Sequence, residues 1–218
     1  MIKKHNSDAK DAEFLRANKH IEKREFTKAE RALRRGLARA EHEKDPDGIG
    51  FYYQALGFLY LLQKKNSEAL HFYQKADNAS PDHHARLAYA RLLTTIFADH
   101  DTGLQKAKDA LKQMPKDDRA AAQAHSIIGL CYLGRGDREN AIRAFAKSLT
   151  GYSLRLTPSA SYDLTLASEL IRQGVFDKRC VRYLGDVRKK AGAEGNERLI
   201  QVVDRLLADA KQLEQTSI

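Results

Sequence analysis

The chain has 218 residues, a formal net charge of +9, two cysteines, four prolines and no tryptophan. So few cysteines exclude a disulfide-stapled scaffold, and no segment approaches the roughly 20 consecutive apolar residues that a membrane-spanning helix needs. Abundant Ala, Leu, Lys, Arg, Glu and Gln, with no alternating run of β-branched residues, select helix over strand.

The first residues, MIKKHNSDAKDAEF, lack the apolar stretch of a secretory signal, so a soluble, cytoplasmic protein is expected. Residues 10–43 then place Ala17, Phe26, Ala29, Leu33 and Leu37 where a pair of helices would bury them, and the second helix is predicted to run on toward Lys44. Asp45, Pro46, Asp47 and Gly48 read as the turn that follows. Residues 50–83 carry the clearest pattern. Tyr53, Leu56, Gly57 and Tyr60 lie at i, i+3, i+4 and i+7 on one helical face, and Ala69, Tyr73 and Ala76 line a second helix. Gly57 and Ala69 are small where two antiparallel helices must approach, Tyr60 and Tyr73 fill the space beside them, and Pro81 stops the second helix.

Residues 84–117 keep Leu87, Ala90, Ala107, Ala110 and Pro115 in the same frame, but Arg91 and Gly103 stand at positions filled differently elsewhere, so this unit is a degenerate copy. Residues 122–155 repeat the clear pattern with His125, Ile128, Gly129, Tyr132, Ala141, Phe145 and Ser148, from a helix predicted to begin near Asp117. Thr157 and Pro158 are predicted to open another helix, and residues 160–193 offer Leu166, Ala167, Leu170 and Tyr183 as a fifth hairpin, against Arg179 and Asp186 at positions that are usually small. A break at Ala191 to Asn196 precedes an amphipathic helix over 196–215, with Leu199, Val202, Val203, Leu206, Leu207 and Leu213 on its apolar side. Each hairpin leaves an apolar face uncovered, so neighbours must stack and a last helix must cover the end.

The residues Tyr53, Leu56, Gly57, Tyr60, Ala69, Tyr73, Ala76 and Pro81, with the second copy from His125 to Ser148, resemble a tetratricopeptide repeat. That resemblance implies an all-α fold: a right-handed superhelical solenoid of about five antiparallel helical hairpins and a C-terminal capping helix, forming one domain over 1–218. It also implies a non-catalytic scaffold or adaptor whose first helices line a concave groove. In that frame the groove positions are the second, fifth, ninth and twelfth of each unit. They read Asp11, Phe14, Asn18 and Ile21; Phe51, Gln54, Phe58 and Leu61; Ala85, Ala88, Leu92 and Thr95; Gln123, Ser126, Leu130 and Leu133; and Ser161, Leu164, Ser168 and Ile171.

This predicted strip is largely apolar. Family members that clamp a peptide's carboxylates use Lys, Arg and Asn there, and only Asn18 matches, which argues against such a clamp. An apolar or amphipathic segment of a partner protein is the expected occupant, anchored on Phe14, Phe51, Phe58, Leu61, Leu92, Leu130 and Leu133, with Asn18, Gln54, Gln123 and Ser126 for its polar groups. The alternative is that the protein covers the strip itself, with its own N-terminal segment or as a homodimer.

No cofactor and no metal is expected: there is no phosphate-binding glycine loop, no HExxH and no paired CxxC, so catalysis is not expected either. Adjacent His83 and His84 point about 100° apart on a helix and make a poor metal site. His125 reads as a packed core histidine, and Cys131 and Cys180 as reduced core thiols. The positive charge is spread along the chain. Arg31, Arg34, Arg35 and Arg39 read as an outward, solvated stripe with pairs on its own helix, and Lys178, Arg179, Arg182, Arg188, Lys189 and Lys190 as a second outward cluster. Either stripe offers an acidic partner a surface. Nucleic acid is disfavoured, because the aromatics that would interleave with these charges are assigned to the core.

Overall fold

The computed structural model describes residues 7–80, 82–114, 118–149 and 163–216. The described residues form eleven helices and no strand: α1 (Ser7–Glu22), α2 (Phe26–His42), α3 (Pro46–Leu62), α4 (Asn66–Ala79), α5 (His83–Thr95), α6 (His100–Gln113), α7 (Asp118–Gly134), α8 (Arg138–Ser148), α9 (Thr165–Arg172), α10 (Lys178–Ala193) and α11 (Glu197–Thr216). The fold is an all-α helical-repeat solenoid. The predicted stops and starts at Pro81, Pro115, Thr157 and Pro158, and the groove position Ser161, lie outside the described residues.

One local solution ends six of these helices. After α1, α2, α3, α7, α9 and α10 a residue with positive φ reverses the chain: Arg24, Lys44, Lys64, Gly136, Gly174 and Gly195. The next amide then donates to a carbonyl five residues back, as Glu25 does to His20 at 2.8 Å and Lys65 to Tyr60 at 2.9 Å, satisfying carbonyls the helix leaves open. Five helices, α3, α5, α6, α8 and α10, start on aspartate caps. Asp45, Asp82, Asp99, Asp137 and Asp177 accept from the backbone amides of Gly48, Ala85, Thr102, Asn140 and Arg179.

These caps correct two boundaries. Asp45 to Gly48 is not a turn: Asp45 is the cap of α3 and Pro46 its first residue, where a missing N–H costs nothing. The reversal falls one step earlier, because α2 ends at His42 and Lys44 takes φ of 53°. At the other end α10 continues to Ala193, so the break before α11 is only Glu194 to Asn196.

The chain divides into two compact units, residues 1–96 and 97–218. The division falls between α5 and α6, the two helices of the expected third hairpin. In the first, α3 packs against α2, α4 and α5. Its core holds Leu33, Leu37, Tyr52, Leu56, Leu59, Tyr73 and Leu92, each fully buried Leu contributing roughly 1.5–3 kcal/mol. Gly57 works as its spacing predicts: a Cβ there would lie 3.0 Å from the Tyr73 ring. In the second unit α7 packs against α6, α8 and α9, and α11 lies on α10 and α9. Leu130, Phe145, Leu166, Leu170, Leu184, Val187 and Val203 form that core, Val203 coming from the terminal helix.

Candidate partner-binding site

The site is built on α3. Its sequence, PDGIGFYYQALGFLYLL, is apolar around the whole circumference, and such a helix is normally buried on every side. Tyr52, Leu56, Leu59 and Tyr60 do face the core. Phe51, Phe58 and Leu62, however, are 39%, 49% and 42% exposed. They stand at i, i+7 and i+11, one stripe along the helix, with Gln54 half-buried between them. Phe14 of α1 meets Phe51 edge to face at 4.9 Å and extends the stripe onto the neighbouring helix, where Asn18 is also half-buried.

The remaining predicted positions divide. Leu61 is half-buried against the core of the first unit, and Gln123 is half-buried on α7. Leu92, Ser126, Leu130 and Leu133 are inside, at 2%, 3%, 8% and 2% exposure, so the expectation that they line an open strip is corrected. Leu92 joins the core of Leu56 and Leu59. Leu130 and Leu133 join Leu166, Ala167 and Leu170 of α9, which packs directly on α7. Ser126 donates its hydroxyl to Asp163 at 3.1 Å.

Beside the exposed stripe lies a cleft of about 490 Å³, lined by Asp47, Gly50, Phe51, Gln54, Ser80, Asp82 and Ala85. Its polar wall was not foreseen. The Ser80 hydroxyl donates to Asp47 at 2.9 Å, and Asp82 accepts from the Ala85 amide at 3.2 Å. The signal was present in Asp45-Pro46-Asp47: an aspartate cap followed by proline puts Asp47 in the first turn of a helix rather than in a loop. Leu62 was equally available, one helical turn beyond Phe58.

The basic stripe of α2 is exposed at Arg31, Arg34 and Arg35 and pairs within its own helix, and it also reaches neighbouring helices. Arg34 pairs with Glu30 at 2.8 Å, Arg35 reaches Glu13 of α1 at 3.0 Å, and Arg39 donates to the buried Tyr52 hydroxyl at 3.3 Å. Burial pushes the Glu30 carboxyl up, but hydrogen bonds from Arg34 and the Tyr60 hydroxyl outweigh it and hold the group below its ordinary value. Tyr60 stacks on Phe72 at 5.2 Å, with Lys65 over the first ring at 5.7 Å and Arg34 over the second at 5.8 Å. In the second cluster, Arg179 pairs with Asp177, Arg188 with Asp204 on α11, and Lys190 with Glu194.

His83 and His84 open α5 with ring centroids 4.1 Å apart. Among the described residues no group of three or more His, Cys, Asp or Glu is placed to hold a metal ion. His125 is half-buried, and burial, with Lys147 nearby, pushes its pKa down. Cys131 and Cys180 are buried and form no disulfide, and burial pushes the Cys180 thiol up to about 12.

Residues 52–83, covering most of α3 and all of α4, match the tetratricopeptide repeat. That stretch of the chain is a tetratricopeptide repeat. Among curated proteins the chain is similar to the transcriptional activator NprA of Geobacillus stearothermophilus, 28% identical over 112 residues, a match covering 44% of this chain and 26% of NprA. The match thus spans about a quarter of that relative. Among solved structures it is similar to PilF of Pseudomonas aeruginosa, with a TM-score of 0.62 at 16% identity over 96% of this chain and 98% of that one. It is similar too to MamA from Desulfovibrio magneticus RS-1, with a TM-score of 0.56 at 16% identity over 96% and 97% of the two chains. At such identity the tetratricopeptide-repeat proteins share this fold and the likeness extends no further. Among the described residues no helix is long and apolar enough to cross a membrane.

Proposed function

We propose that this tetratricopeptide-repeat protein is a non-catalytic adaptor or scaffold of the cytoplasm that captures an apolar or amphipathic segment of a partner protein on the exposed stripe of α3. The tetratricopeptide-repeat fold serves protein interaction in general. The observation that carries the finer reading is the imbalance on α3: Phe51, Phe58 and Leu62 stay open on a helix whose other faces are covered. Aligned aromatic and aliphatic side chains one and two turns apart are what an amphipathic helix or an extended apolar segment uses as anchors. Phe51 is held in place by Phe14 and Tyr52, the latter ring 5.4 Å away, so this part of the surface is pre-formed.

Phe58→Asp tests it. Phe58 is half exposed, so the substitution leaves thermal stability within about 0.5 kcal/mol of the parent. Pull-down from the native cell followed by mass spectrometry is expected to lose the partner. Unchanged capture would remove the stripe from consideration. Sedimentation separates the second occupant: a monomer at all concentrations accords with an adaptor, whereas a dimer that Phe58→Asp dissociates makes the stripe an oligomer interface.

A further inference from the structure

We infer that the partner segment carries a basic side chain at one end of its apolar anchors, seated in the acidic cleft beside Phe51. The inference rests on the reading of α3 as the capture surface and specifies the chemistry of what it captures. Among the described residues the cleft's ionisable lining is Asp47 and Asp82, both acidic, and Phe51 and Gln54 stand on its α3 side. Their contacts within the chain leave the charge in place. Asp47 accepts a neutral hydroxyl from Ser80, and Asp82 accepts the Ala85 amide with the His83 ring nitrogen 3.6 Å away. Among the described residues no lysine or arginine lines the cleft, although the whole chain carries a net charge of +9. A cationic side chain of a bound segment therefore gains two carboxylates there, and an acidic one meets repulsion.

The geometry adds a register. Asp47 and Phe58 are 11 positions apart on α3, about 16 Å along the axis, and Leu62 adds about 6 Å more. A partner helix would span this with its basic residue about three turns from the anchor on Phe58 and about four from that on Leu62, and an extended segment would span it in about five to seven residues. This polarity is opposite to a carboxylate clamp: the cleft selects a Lys or Arg side chain.

The test is selection of random 12-residue peptides displayed on phage against the immobilised full chain, with the selected peptides then titrated against three purified proteins. These are the parent, Asp47→Asn with Asp82→Asn, and Phe58→Asp. Asparagine caps a helix about as well as aspartate, so the double variant keeps the start of α5 while removing both charges. Circular dichroism establishes that each variant remains helical. The expected result is peptides with Lys or Arg at one end and apolar residues beyond. The double variant should bind them about threefold to tenfold more weakly, with a shallower salt dependence. Peptides that are neutral or acidic, indifference to the double variant, or no peptide selected would each overturn the inference. The two readings fail separately. Binding lost in Phe58→Asp but unchanged in the double variant retains the stripe and sinks the basic contact, while binding unaffected by Phe58→Asp sinks the stripe.

Discussion

At single positions the balance between burial and exposure decides both reactivity and binding. Cys131 and Cys180 are 0% and 1% exposed, and Cys180 lies 3.8 Å from the Ala167 carbonyl in an apolar pocket that keeps it a thiol rather than a thiolate. Native protein at pH 8 should therefore react with a thiol reagent at least tenfold more slowly than the same protein in 8 M urea, in which two thiols titrate rapidly; equal rates would contradict this packing. Much of this scale was legible in the chain. Spacing puts Gly57 at a close approach of two helices and Tyr73 in the space beside it, and in the structure a Cβ at Gly57 would meet the Tyr73 ring. Leu92, Leu130 and Leu133 were misplaced because groove numbering assumes that nothing lies over the first helix of each hairpin. At Leu130 and Leu133 a residue at i+37 or beyond, such as Ala167 or Leu170, supplies the cover. No local pattern announces such a contact.

At the scale of the element, the recurring turn makes a matched pair of predictions. Lys64 and Gly136 occupy the same left-handed position after α3 and α7, with φ of 60° and 77°. A β-carbon is strained there and glycine is not, by about 1 kcal/mol once the greater freedom of unfolded glycine is counted. Lys64→Gly is expected to raise Tm by a few degrees and Gly136→Ala to lower it, as scanning calorimetry would read. The aspartate caps predict the response to acid. Hydrogen bonds from the Asn140 side chain and amide hold the Asp137 carboxyl below its ordinary value, and those from Arg179 do the same for Asp177 against an opposing push from burial. A carboxyl with a depressed folded pKa stabilises above the unfolded value of about 3.9, and that stabilisation is lost as pH falls through the lower folded value. Tm should hold nearly level from pH 7 to about 5 and drop below pH 4, and Asp137→Asn should flatten the drop. These caps are within reach of the sequence, yet Asp45 to Gly48 reads as a turn because Asp, Pro and Gly also punctuate loops. What distinguishes the two is the proline: next after an aspartate it fits the first turn of a helix, where its missing donor is not needed.

At the scale of the molecule each of the two compact units has its own core, one centred on Tyr52, Leu56 and Leu59, the other on Leu130, Leu166 and Leu184. Helical-repeat chains are stabilised by neighbour contacts, so a piece with its own core stands by itself. Residues 1–96 expressed alone are expected to give a helical circular-dichroism spectrum and a cooperative urea transition; a flat, unfolded trace would show that the first core depends on the rest of the chain. The sequence by itself determined the helical class, the hairpin period and the need for a small residue at Gly57 and bulk at Tyr73, because these depend on neighbours three and four residues apart and on one short loop. Only the tertiary structure decided which apolar residues stay in water. Phe58 and Leu133 look alike along the chain, but one is 49% exposed and the other 2%. The difference lies in what packs over each, and burial by distant elements leaves no periodic trace in the residue being buried.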